Sequence, residues 1–290
     1  MLFLPANVEK FVAQAHTRGA DACILDLEDS VPLALKAVAR QGVPGHASRI
    51  TGHGTPVLIR VNQPWAMTEM DLNAVVGPAV SAIVLPKVCD ADFVFAVGRR
   101  LDALEAQRGM VNGHTRLIAQ IEDVQALPHL DAIAASSPRL LGMILGSEDF
   151  SASAGMAPSP QALLLPNQMV LFACRRAGLL PFGFAGSIAD FADLKAFRET
   201  ICQARALGFV GAFCIHPSQV AVMNEEFAPS ADEIAHAHGL IAAFEAAARE
   251  GRGAAEYHGK MIDPPVVTRA QELLRRAATP PSVPILKETP

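Results

Sequence analysis

Two apolar runs of strand character each stop at a pair of carboxylates. Arg116-Leu-Ile-Ala-Gln-Ile ends at Glu122 and Asp123, and Leu140-Leu-Gly-Met-Ile-Leu passes through Gly146 and Ser147 to Glu148 and Asp149. A helix-sized stretch lies between them, so the pattern predicts a strand-helix-strand unit. In parallel α/β folds the carboxyl ends of the strands carry the chemistry, which predicts that Glu122 and Asp149 reach one rim on adjacent strands. Two hard oxygen ligands there suit Mg²⁺ (or Mn²⁺), which completes its shell with water and substrate oxygens. An acid directly after a strand also serves as a helix N-cap, and that simpler use competes at each junction.

Other rim candidates follow the same logic. Arg60 ends the run VLIR, where a guanidinium can grip a carboxylate bidentately or pair with a rim acid such as Glu28. Lys87 in VLPKV has the same two uses, and it is the residue a Schiff-base mechanism would need. Asp26 is the one charge inside a strand and has to be paired there. His216 precedes a proline and reads as rim packing before it reads as a ligand; His236 and His238, two apart on a helix, cannot face one metal. No GxxxxGK[ST] loop, dinucleotide glycine fingerprint or GxSxG elbow is present.

The elements that position these groups alternate. Apolar runs at residues 2–4, 22–27, 57–61, 83–85, 117–121, 140–145, 180–184 and 210–215 are separated by Ala-rich helical stretches. Continuous rather than alternating hydrophobicity marks parallel strands buried on both faces. Eight such units predict an α/β fold, a (β/α)8 TIM barrel over residues 1–220, followed by a C-terminal helical extension and lid over 221–290. Ser230 and Glu233 match a capping box, which predicts a helix from Ser230 to about Glu250. GRGAAEYHGKMIDPP then reads as a glycine-hinged lid, Val266 to about Ala277 as a last helix, and TPPSVPILKETP as a loosely ordered tail.

Composition narrows the partners. With 51% hydrophobic residues, 18% charged and a net charge of −5, the 290-residue chain has no basic block for nucleic acid or an anionic membrane surface. No apolar run reaches the ~20 residues of a membrane span. The start, MLFLPANVEKF, lacks the basic and apolar regions of a signal peptide, and five scattered cysteines fit reduced thiols, so a cytoplasmic location is expected.

Taken together, LFLPAN, GADACILDLEDSV with Lys36 and Arg40 after it, IRVN, IVLPK, LIAQIED, GSEDF, GFVGAFCIHPSQV with Asn224, and GKMID resemble the citrate lyase β-subunit-like branch of the HpcH/HpaI aldolase superfamily. That branch includes malyl-CoA and citramalyl-CoA lyases. The resemblance implies a Mg²⁺-dependent carbon–carbon lyase on a barrel, a homotrimer or hexamer that takes acyl-CoA thioesters and releases 2-oxo acids. It implies Glu122 and Asp149 as metal ligands, and Arg60 together with backbone amides of Gly146, Ser147 and Glu148 as holders of the oxo-acid carboxylate. Asp263 becomes an acid/base lent to a neighbouring subunit. Pro5, Asn7, Lys10 and Pro217 fall on the CoA side. Ala6 and Ala212 replace the family's usual glycine and lysine on that side, which keeps two alternatives open: a metal-dependent aldolase on free hydroxy-oxo acids, and a lyase subunit that needs an acyl-carrier partner.

Overall fold

The computed structural model describes residues 1–278, and the tail TPPSVPILKETP lies outside the described residues. Seven strands form one parallel sheet in sequence order: β1 (Leu2–Pro5), β2 (Cys23–Asp26), β3 (Val57–Arg60), β4 (Ala82–Leu85), β5 (Arg116–Ile121), β6 (Leu140–Leu145) and β7 (Leu180–Phe182). The sheet curls, and alternate residues of its strands belong to two different cores. Ile24, Leu58, Val84, Ile118 and Ile144 meet on the inside with Phe182 and Phe213. Leu25, Ile59, Ile83 and Leu117 point the other way and pack with helix residues such as Val43, Leu72, Val97 and Leu101.

The expected eighth strand over 210–215, and the expected reach of β7 to residue 184, need correction. Pro181 has no N–H to offer a ladder and Gly183 turns to φ +136°, so β7 stops after three residues. The segment from Val210 to Cys214 makes only scattered backbone bonds, but it makes them on both sides. Val210 N–H donates to the Pro181 carbonyl (3.1 Å) and Gly183 N–H to the Gly211 carbonyl (3.0 Å). On the other flank Phe3 N–H donates to the Cys214 carbonyl (2.8 Å), and Leu2 and Cys214 form a parallel bridge.

Beyond this sheet, the helix Ala231–Arg249 starts at Ser230 with the anticipated capping box to Glu233. The glycine-rich stretch after it is a formed antiparallel hairpin rather than an open loop: β8 (Ala255–Tyr257) pairs with β9 (Lys260–Ile262). His258 and Gly259 turn the corner at φ +50° and +73°, which is the geometry a two-residue hairpin turn requires. Tyr257 packs against Gly239, where a Cβ would not fit. The helix Pro264–Ala278 lies back on Ala231–Arg249 through a small separate core of Ala237, Leu240, Ile262, Val267 and Ala270. Among the described residues no helix is long and apolar enough to cross a membrane.

Candidate active site

The carboxyl ends of β2 to β6 gather the rim charges, and pairing across strands decides their orientation. Asp26 and Arg60 are register partners on β2 and β3. Arg60 donates from Nε and Nη2 to the two oxygens of Asp26, both at 2.7 Å, the fork geometry that locks a guanidinium in place. The Asp26 carboxylate also accepts from Glu28 N–H, Ser30 N–H and Ser30 Oγ, which folds the LEDS turn over it. These donors hold the Asp26 carboxyl below the usual range against the opposing effect of its burial. Arg60 Nη1 lies 3.1 Å from Glu28, so the internal ion pair weighed for Arg60 exists. Lys36 supports the turn from below, donating to the Leu27 and Glu28 carbonyls and to Asn62.

Lys87 joins this arrangement to the next acid. It sits in the left-handed region at φ +51°, a conformation uncommon for a residue with a side chain, and this turn aims its N–H at Glu122 Oε2 (2.7 Å). Its Nζ pairs with Glu28 at 2.6 Å and Asp29 at 3.4 Å. Although partial burial opposes the charge, Glu28 and Asp29 hold Lys87 protonated well above its ordinary range, which opposes the neutral amine that a Schiff base requires.

Glu122 is 4% exposed and lies tightly between neighbours. Its Oε2 takes the Lys87 N–H and its Oε1 takes Gln120 Nε2 at 3.0 Å. Burial first, and then the charges of Glu28 and Asp149, push its carboxyl up to about 7. Gly146 leaves the space it occupies: a Cβ there would come within 2.5 Å of Glu122 Cγ. Gly146 also starts the helix Ser147–Ala154 with no side-chain cap, so the first-turn amides stay available to an anion. Asp149, in that first turn, accepts no hydrogen bond from the described residues, whereas Glu148 accepts from Ser187 Oγ at 2.6 Å. The plain N-cap use does occur next door, at Asp123, which accepts from Gln125 N–H.

A cavity of about 420 Å³ collects these groups. Pro5, Arg60, Glu122, Gly146, Ser147, Glu148 and Asp149 all line it, with Asp26, Ser30 and Gln120, and with Phe3, Ile144 and Phe213 as apolar wall. Asn7, Lys10, Pro217 and Asp263 do not line it. Asn7 has a buried Oδ1 without a partner, and Lys10 is exposed. Pro217 opens a helix capped by His216, whose Nδ1 accepts from Ser218 N–H while its ring stacks on Phe191 at 4.8 Å. Asp263 stands at the start of the last helix, accepting from Val266 N–H. Gln120 went unnoticed in the sequence, although the strand period of two puts it on the same face as Glu122.

The donor set fits a divalent cation of the hard class. Asp26 is matched by Arg60 and Glu28 by Lys87, which leaves Glu122, Glu148 and Asp149 as the cavity carboxylates in no ion pair, and of these Glu148 is held by the Ser187 hydroxyl. Among the described residues no group of three or more His, Cys, Asp or Glu could hold a metal, so such an ion would draw its other oxygens from water and ligand, as Mg²⁺ does.

Residues 1–217 match the family model described as HpcH/HpaI aldolase/citrate lyase. The chain belongs to that family. Among its curated members, the citrate lyase subunit beta of Escherichia coli (strain K12) is 34% identical over 282 residues, which cover 96% of this chain and 92% of that protein. The L-malyl-CoA/beta-methylmalyl-CoA lyase of Cereibacter sphaeroides is 35% identical over 297 residues, covering 94% and 91%. A family structure, the protein CitE from Mycobacterium tuberculosis in complex with magnesium, acetoacetate and coenzyme A, superposes with a TM-score of 0.77 at 30% identity, covering 96% of this chain and 97% of that one.

Proposed function

We propose that the protein is a Mg²⁺-dependent carbon–carbon lyase that cleaves a 3-hydroxy-3-carboxyacyl-CoA of the citryl, malyl or citramalyl type into a 2-oxo acid and acetyl-CoA or a homologue. The observation that carries this reading is that Glu122 and Asp149, neither of them in an ion pair, line one cavity beside a fixed guanidinium. Relatives named for citrate lyase and malyl-CoA lyase, and a neighbour holding magnesium and coenzyme A, support it.

In this reading Glu122 and Asp149 would hold Mg²⁺, which would supply Lewis acidity to the bound substrate. Asp26 keeps Arg60 in one rotamer, so its remaining N–H groups meet the carboxylate in a fixed direction. The amides of Ser147 and Glu148 at the uncapped helix start add donors to the same group. The hydroxyl gives its proton to solvent water as its oxygen becomes the carbonyl of the 2-oxo acid, the carbon–carbon bond breaks, and that bond's electron pair passes to the thioester as an enolate. Asp263 of a second copy, carried on the hairpin and its following helix, protonates that carbon. The Pro5 to Lys10 loop and Pro217 flank the CoA. We further propose that residues 210–214 close the sheet into a complete (β/α)8 barrel over 1–220, that 221–290 is the extension and lid, and that the enzyme is a cytoplasmic homotrimer or hexamer.

The test is to incubate the purified chain with Mg²⁺ and citryl-, malyl- and citramalyl-CoA and follow release of the 2-oxo acid. Turnover abolished by chelator and by Asp149→Ala is expected. No turnover of any thioester would overturn the reading; turnover of free hydroxy-oxo acids would replace it with the aldolase alternative, and turnover only with an added acyl-carrier protein would replace it with the subunit alternative.

A further inference from the structure

The carbon that becomes the carbonyl of the 2-oxo acid carries a hydroxyl, a carboxylate, the arm that leads to the thioester, and one variable substituent. The hydroxyl and carboxylate meet the rim groups. The thioester arm has to leave through the open mouth, because coenzyme A is far larger than a cavity of about 420 Å³. The variable substituent is left to enter the inner end, and that end is apolar. Phe3 stands before Pro5 on the same face of β1, with its ring centroid 4.8 Å from Arg60 Cζ. Phe213, 1% exposed, meets the Phe3 ring edge to face at 5.4 Å. Ile144 precedes Gly146 by one strand period, so it lies beneath the helix start whose amides face the carboxylate. Each holder of the carboxylate therefore has a hydrocarbon wall under it. Charge acts in the same direction. Arg60 is the only cation among the described residues that line the cavity, and Asp26 and Glu28 already flank it. Asp29 and Glu148 add negative charge to the lining, and Ser30 and Gln120 are neutral. One carboxylate can use the remaining N–H groups of Arg60; a second finds hydrocarbon or like charge.

We propose that the variable substituent is a short uncharged alkyl group, methyl above all, and that Ile144, in a wall shared with Phe3 and Phe213, is the specificity-determining residue that selects it. The preferred thioester is then citramalyl-CoA, which yields pyruvate. Malyl-CoA, which yields glyoxylate, brings only a hydrogen and leaves the wall facing empty space. Citryl-CoA, which yields oxaloacetate, brings a second carboxylate to a wall that offers it no cation, and is disfavoured. The inference rests on the lyase reading and names the oxo acid that the same site takes.

The experiment measures kcat/KM of the full chain with Mg²⁺ for citramalyl-, malyl- and citryl-CoA, for the wild type, Ile144→Ala and Ile144→Gln. The wild type is expected to prefer citramalyl-CoA to malyl-CoA about fourfold, the worth of one buried methyl. Its preference over citryl-CoA is expected to be about tenfold or more, since that substrate buries an unmatched charge. Ile144→Ala should bring the citramalyl-to-malyl ratio to about one. Ile144→Gln, which sets an amide donor in the wall, should narrow the citramalyl-to-citryl gap several-fold. A general loss of activity lowers all three values alike, so only a selecting role moves the ratios. A wild-type kcat/KM for citryl-CoA or malyl-CoA equal to or above that for citramalyl-CoA overturns the assignment, whatever the variants do. Unchanged ratios in variants whose circular dichroism spectra match the wild type overturn it as well. Turnover of none of the three means that the lyase reading itself has failed, a result distinct from a wrong order of preference.

Discussion

Glu122→Gln should stabilise the metal-free protein at high pH and should do so only there. The folded protein raises the Glu122 carboxyl from 4.5 to about 7. A raised value means that stability is fully present below the unfolded value and is lost as pH climbs through the folded one. At 1.36 kcal/mol per unit, ionised Glu122 costs the metal-free fold about 3 kcal/mol above pH 8. Glutamine removes that term but has one acceptor where Glu122 uses two, for Lys87 N–H and Gln120 Nε2. With the acid gone the Gln120 amide is free to turn and present its unpaired Oε1 to the new NH₂, so the exchange costs about 1 kcal/mol. The net gain of about 2 kcal/mol corresponds to about 3 °C in Tm for a chain of this length. At pH 5, where Glu122 is already protonated in the fold, the variant should melt slightly below wild type. Mg²⁺ should raise the Tm of wild type at pH 8 and have little effect on the variant, because a ligand stabilises only the state that binds it. Scanning calorimetry at pH 5 and pH 8, with and without Mg²⁺, decides the matter. A Tm difference that does not change with pH, or equal stabilisation of both proteins by Mg²⁺, would refute the claim that Glu122 is a crowded carboxylate awaiting a cation.

Other outcomes follow from the same geometry. Gly146→Ala would bring a methyl within 2.5 Å of Glu122 Cγ, so Mg²⁺ affinity by titration should fall at least tenfold while the far-ultraviolet circular dichroism spectrum is unchanged. Asp26→Asn replaces one of two ionic acceptors of Arg60; kcat should drop on the order of 10²-fold with KM for the oxo-acid fragment raised, and unaltered kinetics would show that Arg60 needs no such hold. Far from the cavity, Glu105 is fully buried and accepts from Gly113 N–H, Thr115 N–H and Arg139, which together hold its carboxyl below the usual range against its desolvation. A depressed value gives stability that is present above the unfolded range and lost as pH falls through the folded one. Glu105→Ala should therefore cost about 3 kcal/mol at pH 7, by leaving Arg139 with Asp102 as its one carboxylate and the Gly113 and Thr115 N–H groups without their acceptor, and distinctly less at pH 3, as urea unfolding at the two pH values will report.

Sequence alone determined the elements and the order in which they carry charge. Seven of the eight apolar runs became parallel strands because Val, Ile and Leu in unbroken series suit a sheet buried on both faces, and the acids at the ends of β5 and β6 followed from where those runs stop. The capping box at Ser230 and Glu233 needed only local chemistry and was likewise legible. Pairing was another matter, since it depends on register between segments far apart in the chain. Whether Arg60 grips a ligand carboxylate or pairs with a rim acid such as Glu28 was undecided until Asp26 and Arg60 became register partners, and the left-handed turn that points Lys87 N–H at Glu122 has no signature in VLPKV. The hairpin of β8 and β9 looked like a loose hinge because its strands are three residues long, and the socket at Gly239 that receives Tyr257 is a tertiary contact. Local propensity and hydrophobic period are properties of neighbours in the chain; the balance of charge around Glu122 and Asp149 is a sum over five strand ends, and only the folded sheet performs that sum.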